Sequence, residues 1–343
     1  MRTVFPTDAF RQLTTPFYYY DTDLLRATIR TIQEEVSKHA GFCVHYAIKA
    51  NANPRVLNII GQAGLGADCV SGGEILAALN AGIPKHRIVY AGVGKSDWEI
   101  NLGLDKNIFC FNVESIAELE VLNELAAHKE KTARVALRIN PDVKAHTHAK
   151  ITTGLAENKF GIALCDMDDA VRAAIAMEHI DLVGLHFHIG SQILRMDDFA
   201  ALCNRINDLQ RHLELREGQT LHFELGRSIV GQCGSLITRV LYVKQGVAKQ
   251  FAIVDGSMTE LIRPALYQAY HQIENLQDEG AMETYDVVGP VCESSDVFAK
   301  AVDLRHVKRG DLLAIRSAGA YGESMASCYN CRKLPPSYLT EDL

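Results

Sequence analysis

The 343-residue chain contains no long uncharged apolar run, so nothing in it reads as a membrane-spanning helix. Its first residues, Met1-Arg2-Thr3-Val4-Phe5-Pro6-Thr7-Asp8, lack the basic-then-apolar order of a secretory leader, and none is expected. Basic charge is not in excess. The 35 Lys and Arg stand against 42 Asp and Glu, a net charge of −7, which argues against a general binder of nucleic-acid backbone. Cysteine is present without the pattern of a disulfide framework: the nine are odd in number and scattered, which fits a reduced cytoplasmic compartment. Cys328 and Cys331 form a CxxC, yet no second CxxC or His pair completes the four ligands of a structural zinc site, and no metal is expected. Internal repeats, low-complexity tracts and long linkers are also missing. What remains is an ordinary globular balance, 48% hydrophobic and 22% charged. The length predicts about two domains.

The first two thirds alternate between short β-type runs and helix-type stretches. The runs are 42–48, 67–70, 88–91, 108–113, 134–139, 182–189 and 221–225. Between them, 55–63, 73–81, 116–128, 168–177 and 199–217 carry apolar residues at helical spacing. Repeated β-then-α with apolar strands predicts a parallel sheet covered by helices. A strand count near eight favours a (β/α)8 barrel, although the count here is seven. After about residue 232 the helices thin out. Runs at 236–243, 250–254, 284–288 and 311–315 predict a second, β-rich domain. The expected division is 21–232 for the barrel and 233–343 with 1–20 for the β-rich part. The strand-like Phe17-Tyr18-Tyr19-Tyr20 fits either domain.

In a parallel barrel, chemistry gathers at the C-terminal ends of strands. The polar residues there are Lys49, Asp68, Asn112 with Glu114, Arg138 with Asn140, His186 with His188, and Glu224 with Arg227. Lys49 closes an apolar strand, where burial would lower its pKa and free the amine for Schiff-base chemistry; a lysine snorkelling to the rim is the plain alternative. His186 and His188 face the same way on one strand. They suit a metal, as in barrel hydrolases, or a planar cofactor, or simply a hydrogen-bonded core. Gly190-Ser191 adds amides and a hydroxyl for an anion. In Glu224-Leu225-Gly226-Arg227, the Gly permits close backbone approach and the Arg can grip a phosphate or carboxylate. A rim salt bridge would explain the same pair. Cys292, between a turn and an acidic cluster, suits a proton donor or an inert buried thiol.

Taken together and in order, Tyr46-Ala47-Ile48-Lys49-Ala50-Asn51, His186-Phe187-His188-Ile189-Gly190-Ser191-Gln192, Glu224-Leu225-Gly226-Arg227, Cys292-Glu293-Ser294-Ser295-Asp296 and Gly319-Ala320-Tyr321-Gly322 resemble the diaminopimelate decarboxylase family. These are alanine-racemase-fold enzymes that use pyridoxal 5′-phosphate. The resemblance implies that Lys49 is the Schiff-base lysine, that His188 stacks on the pyridine ring, and that Glu224 pairs with its nitrogen. It places Asp68 and Leu225 among the cofactor contacts and Ser191, Gly226, Arg227 and Tyr321 around the cofactor as well, with Ser191, Gly226 and Tyr321 on the phosphate. It assigns Arg227, Arg263, Tyr267 and Tyr321 to the substrate, largely its distal carboxylate, and Glu293 to its distal ammonium. Cys292 is expected to reprotonate the α-carbon from the partner subunit of a homodimer. Ornithine-type relatives carry Asp after that cysteine, so Glu293 favours diaminopimelate and the product L-lysine. A decarboxylase of another basic amino acid, or a non-catalytic homologue that binds a partner, are the competing readings.

Two departures from the family pattern stand out. Leu225 replaces the usual Pro. More consequentially, family members carry a further β-strand between the His186–Gln192 and Glu224–Arg227 segments, ending in a Gly-Gly-Gly loop that cradles the cofactor phosphate. Here Asn204–Arg211 runs directly into His212–Arg216 with no Gly-rich loop. One β/α unit is missing, and the expected consequences are weaker cofactor binding and a destabilised, incompletely closed barrel.

Overall fold

The computed structural model describes residues 4–143, 159–191, 193, 195–212, 218–277 and 280–343. Contacts divide the chain into two compact units, one of Met1–Lys38, Lys49–Ile59 and Leu225–Leu343, the other of His39–Ile48 and Ile60–Glu224. The chain enters through α1 (Thr7–Arg11), β1 (Phe17–Tyr20) and α2 (Thr22–Val36). Asp21 caps α2 by accepting from Leu24 N at 2.9 Å, and Leu25 and Ile29, four apart, form its buried stripe.

The second unit is built on β2 (Phe42–Ala47), β3 (Gly66–Cys69), β4 (Ile88–Tyr90), β5 (Cys110–Val113), β6 (Ala133–Arg138), β7 (Ile180–His186) and β8 (Leu221–Leu225). They form one seven-stranded sheet in the order β7-β6-β5-β4-β3-β2-β8, parallel from β2 through β7. The connecting helices are α3 (Pro54–Gln62), α4 (Gly72–Asn80), α5 (Asp97–Lys106), α6 (Ile116–His128), α7 (Met167–Ala176) and α8 (Met196–His212). Three of them start on the same device, Ser followed three residues later by Glu. Ser71 Oγ accepts from Glu74 N at 3.2 Å and Ser115 Oγ from Glu118 N at 3.1 Å, while Glu99 accepts from Ser96 N at 3.1 Å. Glu74 and Glu118 also reach back to the amides of Val70 and Glu114, so each carboxylate fixes a strand-to-helix turn. Helix α5 does not show in the periodicity. Its buried side is only Ile100, Gly103 and Leu104, and the glycine is there for space, since a Cβ on it would sit 2.7 Å from the Phe111 ring.

Strands β3, β4 and β5 are buried at every residue, as parallel strands covered on both faces must be. The edge strands differ. β7 alternates between buried, half-buried and exposed residues, β8 has no buried residue, and Val183 and Leu221 are 37% and 47% exposed. Among the described residues no strand lies between them, in agreement with the seven-strand count. Residues 213–217 and Gln192, in the stretch where the missing unit was inferred, lie outside the described residues.

The N-terminal ends of the strands close over a stack of rings. His45 lies 5.0 Å from His222 and 6.3 Å from Phe109, and Phe109 lies 5.2 Å from His222, with the Arg134 guanidinium 4.7 Å from the Phe109 centroid. His45 Nδ1 lies 3.1 Å from Arg87 O, its Nε2 lies 2.8 Å from His222 Nδ1, and His222 Nε2 is 2.8 Å from the Thr220 hydroxyl. Two neutral imidazoles satisfy this chain in one direction: His45 donates to the carbonyl and accepts from His222. A second proton on His45 would set N–H against N–H. Burial, and then the neighbouring His222, push the His45 pKa down to about 4.

The first unit holds an eight-stranded sheet. Its strands are β1 with β9 (Gly234–Gln245), β10 (Gln250–Val254), β11 (Ile273–Asn275), β12 (Met282–Val288), β13 (Val297–Arg305), β14 (Leu312–Ile315) and β15 (Ser337–Leu339). β1 runs antiparallel to β9 and parallel to β15, which settles the place of the Phe17–Tyr20 run in the β-rich unit. Phe10, Phe17, Tyr19, Ile237, Leu312 and Ala314 pack as one buried cluster under it. Short helices α9 (Arg227–Val230) and α10 (Arg263–Tyr267) belong to the same unit. β13 escapes a reading by apolar runs because Lys300, Asp303 and Arg305 interrupt it.

Two outcomes follow. Amide hydrogen exchange will be fastest, within the sheet of the second unit, at β7 and β8, and slowest at β3–β5; uniform protection across the seven strands would contradict the open edge. Acid will destabilise the fold through His45. The unfolded imidazole takes a proton near pH 6.5 and the folded one only near 4, so stability is lost as the pH falls through this window, on the order of 3 kcal/mol in full. His45→Asn removes that part of the pH dependence in denaturant titrations at pH 7 and pH 5; an unchanged slope would show that His45 is not the titrating group.

Candidate active site

In the first unit the segment after β2 is knitted to the loop at residues 318–324. Tyr321 N donates to Ala50 O at 2.7 Å, Ser324 Oγ to Lys49 O at 3.2 Å, and Asn51 Nδ2 to Gly319 O at 2.9 Å. Asn51 Nδ2 also donates to the Tyr20 hydroxyl at 2.8 Å. On its other side the loop lies close against Val230 and Gly234, which requires Gly319: a Cβ there would stand 2.0 Å from Val230 O. Tyr321 itself holds a left-handed backbone, φ 56°.

This loop carries the Tyr321 ring to two cations. The Arg227 guanidinium lies 5.1 Å and that of Arg263 5.4 Å from its centroid, and Arg263 also lies 4.9 Å from the Tyr267 ring. Pro264 near the start of α10 presets the turn from which Arg263 and Tyr267 project. Arg263 is buried, and its Nε has no hydrogen-bond partner. Burial, and then the nearby Arg227, lower the Arg263 pKa to about 10; burial lowers that of Arg227 as well. Two partly desolvated guanidiniums facing aromatic rings form a receptor for an anion, with bidentate donors ready for a carboxylate.

Lys49 is exposed. The desolvation argued from its place at the end of an apolar run is therefore not a property of the folded chain. Gly226 and Leu225 are half-buried where β8 passes into α9. Cys292 and Glu293 are exposed on the loop between β12 and β13, where Glu293 accepts from Tyr329 OH at 2.8 Å. Neither makes a hydrogen bond or ion pair to Arg227 or Arg263.

The second unit has a polar layer of its own at the C-terminal ends of its strands. Asp68 on β3 is buried, and His188 and Ser191 beyond β7 are half-buried. Glu224, at the end of β8, accepts from Asn112 Nδ2 on Oε1 at 3.1 Å, and its Oε2 lies 3.0 Å from His186 Nε2. Beside it, Arg138 Nη1 donates to Glu114 at 2.9 Å, and the amides of Gly92 and Gly161 donate to the same carboxylate at 3.1 and 3.0 Å. Lys95, its side chain 1% exposed, pairs with Glu118 at 2.6 Å. Among the described residues no group of three His, Cys, Asp or Glu is arranged to hold a metal.

Residues 23–226 match the family of pyridoxal-dependent decarboxylases, over their pyridoxal-binding domain. The diaminopimelate decarboxylase of Bacteroides thetaiotaomicron is 60% identical over 385 residues, covering 100% of both chains, and that of Aquifex aeolicus is 37% identical, covering 96% of this chain and 87% of its own. The chain belongs to the diaminopimelate decarboxylase family. The crystal structure of a mutant Helicobacter pylori diaminopimelate decarboxylase complexed with L-lysine superposes with a TM-score of 0.93 at 36% identity, covering 98% of this chain and 94% of that one. The enzyme from M. jannaschii in complex with L-lysine gives 0.88 at 33% identity, with 97% and 88% covered. The Bacteroides alignment spans 385 residues against 343 here, a difference of 42, so at least that many positions of the relative face no residue in this chain. A β/α unit of the missing kind accounts for a length of this order.

The residues fit the ring end of the family's cofactor, pyridoxal phosphate. Glu224 offers a carboxylate fixed on both oxygens, and the buried Nδ1 of His186 beside it has no hydrogen-bond partner. Among the described residues no strand lies between β7 and β8, where the resemblance places the Gly-rich phosphate loop. Sequence reasoning placed Asn112 and His186 at the strand ends and gave them no part beside Glu224. Asn51 stood inside the quoted lysine motif without a role, and only the fold shows it tying that motif to Gly319. Asn51→Ala will cost roughly 1–3 kcal/mol in chemical denaturation, since it removes two buried hydrogen bonds; a loss below 0.5 kcal/mol, roughly the floor for one such bond, would show that the tie is not structural.

Proposed function

We propose that the chain decarboxylates meso-2,6-diaminopimelate to L-lysine and CO2, using pyridoxal 5′-phosphate. The observation that carries this reading is the pair Arg227 and Arg263 about the Tyr321 ring. A substrate with a second, distal carboxylate has a use for two partly desolvated guanidiniums; a diamine-forming substrate such as ornithine has none. When bound, the cofactor supplies the electron sink for the pair released as CO2 departs. Lys49 provides the amine that holds it. His188 packs on its ring, Glu224 keeps its nitrogen protonated, and Asp68, Leu225 and Arg227 complete the surround. Ser191, Gly226 and Tyr321 grip its phosphate. Arg227, Arg263, Tyr267 and Tyr321 bind the distal carboxylate and Glu293 reads the distal ammonium, so the substrate is oriented from its unreactive end. Cys292 delivers a proton to the α-carbon.

The exposure of Cys292 and Glu293, neither of which bonds to Arg227 or Arg263, supports a homodimer in which each chain lends this loop to the site of the other. Nine free cysteines support a reducing, cytoplasmic setting. The open edge of the seven-stranded sheet favours a second reading, a homologue that keeps the anion receptor as a binding surface and performs no chemistry.

The test is CO2 release from meso-diaminopimelate and from ornithine. The wild-type chain will act on the former alone. Arg263→Leu will raise KM for diaminopimelate tenfold or more, in line with losing one partner of a desolvated ion pair, on the order of 2–5 kcal/mol. Equal use of ornithine, or an unchanged KM in the variant, would reject the assigned substrate. No release from either, with the fold intact, would favour the non-catalytic reading.

A further inference from the structure

Glu224 is the meeting point of three strands. It stands on β8, Asn112 on β5 holds one carboxylate oxygen at 3.1 Å, and His186 on β7 faces the other at 3.0 Å. β7 and β8 are the two unpaired edges of the sheet. The His186–Glu224 contact therefore spans the position where family members carry a strand. His186 Nδ1 is buried with no hydrogen-bond partner among the described residues, so the polar contact that orients the ring is the one on Nε2. Facing a carboxylate, Nε2 carries the hydrogen and donates it.

We propose that His186 is the positioning residue for Glu224: its Nε2–H holds the carboxylate across the open edge, in the orientation in which it meets the ring nitrogen of the cofactor. The inference rests on the cofactor reading above and deepens it. It assigns the first histidine of the His186-Phe187-His188 motif a task distinct from that of the second. It also explains how a carboxylate on an edge strand is kept in place without a neighbouring strand on its open side. The side chains of Glu224 and His186 are 21% and 13% exposed, dry enough for a charge-assisted hydrogen bond to count.

The experiment compares His186→Phe, which keeps a flat ring and removes the donor, with His186→Gln, which keeps a donor. Each is made alone and in a Glu224→Gln background. Pyridoxal phosphate is titrated into the full-length proteins and followed by its visible absorbance. His186→Phe will weaken binding by roughly tenfold, the effect of one hydrogen bond to a charged group. His186→Gln will restore most of it, and in the Glu224→Gln background His186→Phe will change nothing further. Wild-type affinity in His186→Phe, equal loss in Phe and Gln, or additive losses with Glu224→Gln would each overturn the proposal. If the wild-type chain binds no cofactor, the functional reading fails by itself. The contact is then judged by thermal unfolding of the cofactor-free wild type, His186→Phe, Glu224→Gln and His186→Phe/Glu224→Gln proteins: non-additive midpoints support the tie, and additive midpoints overturn it.

Discussion

The carboxylate of Glu224 joins strands that the backbone does not. In a closed parallel barrel every strand has a ladder on both sides, and the C-terminal ends are held at fixed spacing before any side chain acts. Among the described residues β7 and β8 each pair on one side only, and a hydrogen bond between the His186 and Glu224 side chains spans them at the mouth. An orienting contact of that kind is worth a few kcal/mol at most, against a whole strand's worth of amide pairs.

The remainder of the second unit compensates. Glu114 is saturated by Arg138 and two glycine amides, Lys95 is buried against Glu118, and the opposite end of the sheet is plugged by the His45–Phe109–His222 stack. These satisfied polar groups make β2 through β6 a rigid half of a barrel. In the first unit the lysine segment is fastened to the Tyr321 loop through the backbone groups of Lys49 and Ala50, and the Lys49 side chain is exposed. Substrate recognition, as proposed, depends on Arg227 and Arg263, whose burial raises the gain from an incoming carboxylate.

Much of this was legible in the sequence, for identifiable reasons. Parallel strands covered on both faces, such as β3–β5, are short apolar runs, and the two partly exposed edge strands keep enough apolar residues to stand out with them. The Ser-x-x-Glu starts of α4 and α6 are readable where a polar turn follows a strand, and that of α5 was passed over. The absent strand showed only against the family pattern, because the spacing from β7 to β8 is ordinary. Helix α5 was hidden because Phe111 replaces side-chain packing at Gly103, and β13 because its outer face is charged. Of the candidate site, residue identities were legible and partners were not. No spacing rule links Asn112 or His186 to Glu224, or Asn51 to Gly319, since those contacts join residues brought together by the sheet or by a returning loop. The buried character inferred for Lys49 came from its neighbours in sequence, whose side chains point elsewhere.

The central claim is that the ring end of the cofactor site survives the loss of a strand and its phosphate loop. Equilibrium titration of the purified chain with pyridoxal phosphate, read by visible absorbance with Lys49→Ala as control, tests it most directly. A saturable band is expected in the wild-type chain and not in the control, at weaker affinity than a relative with the complete loop. A folded wild-type protein that develops no band, or a band of equal strength in the control, would contradict it.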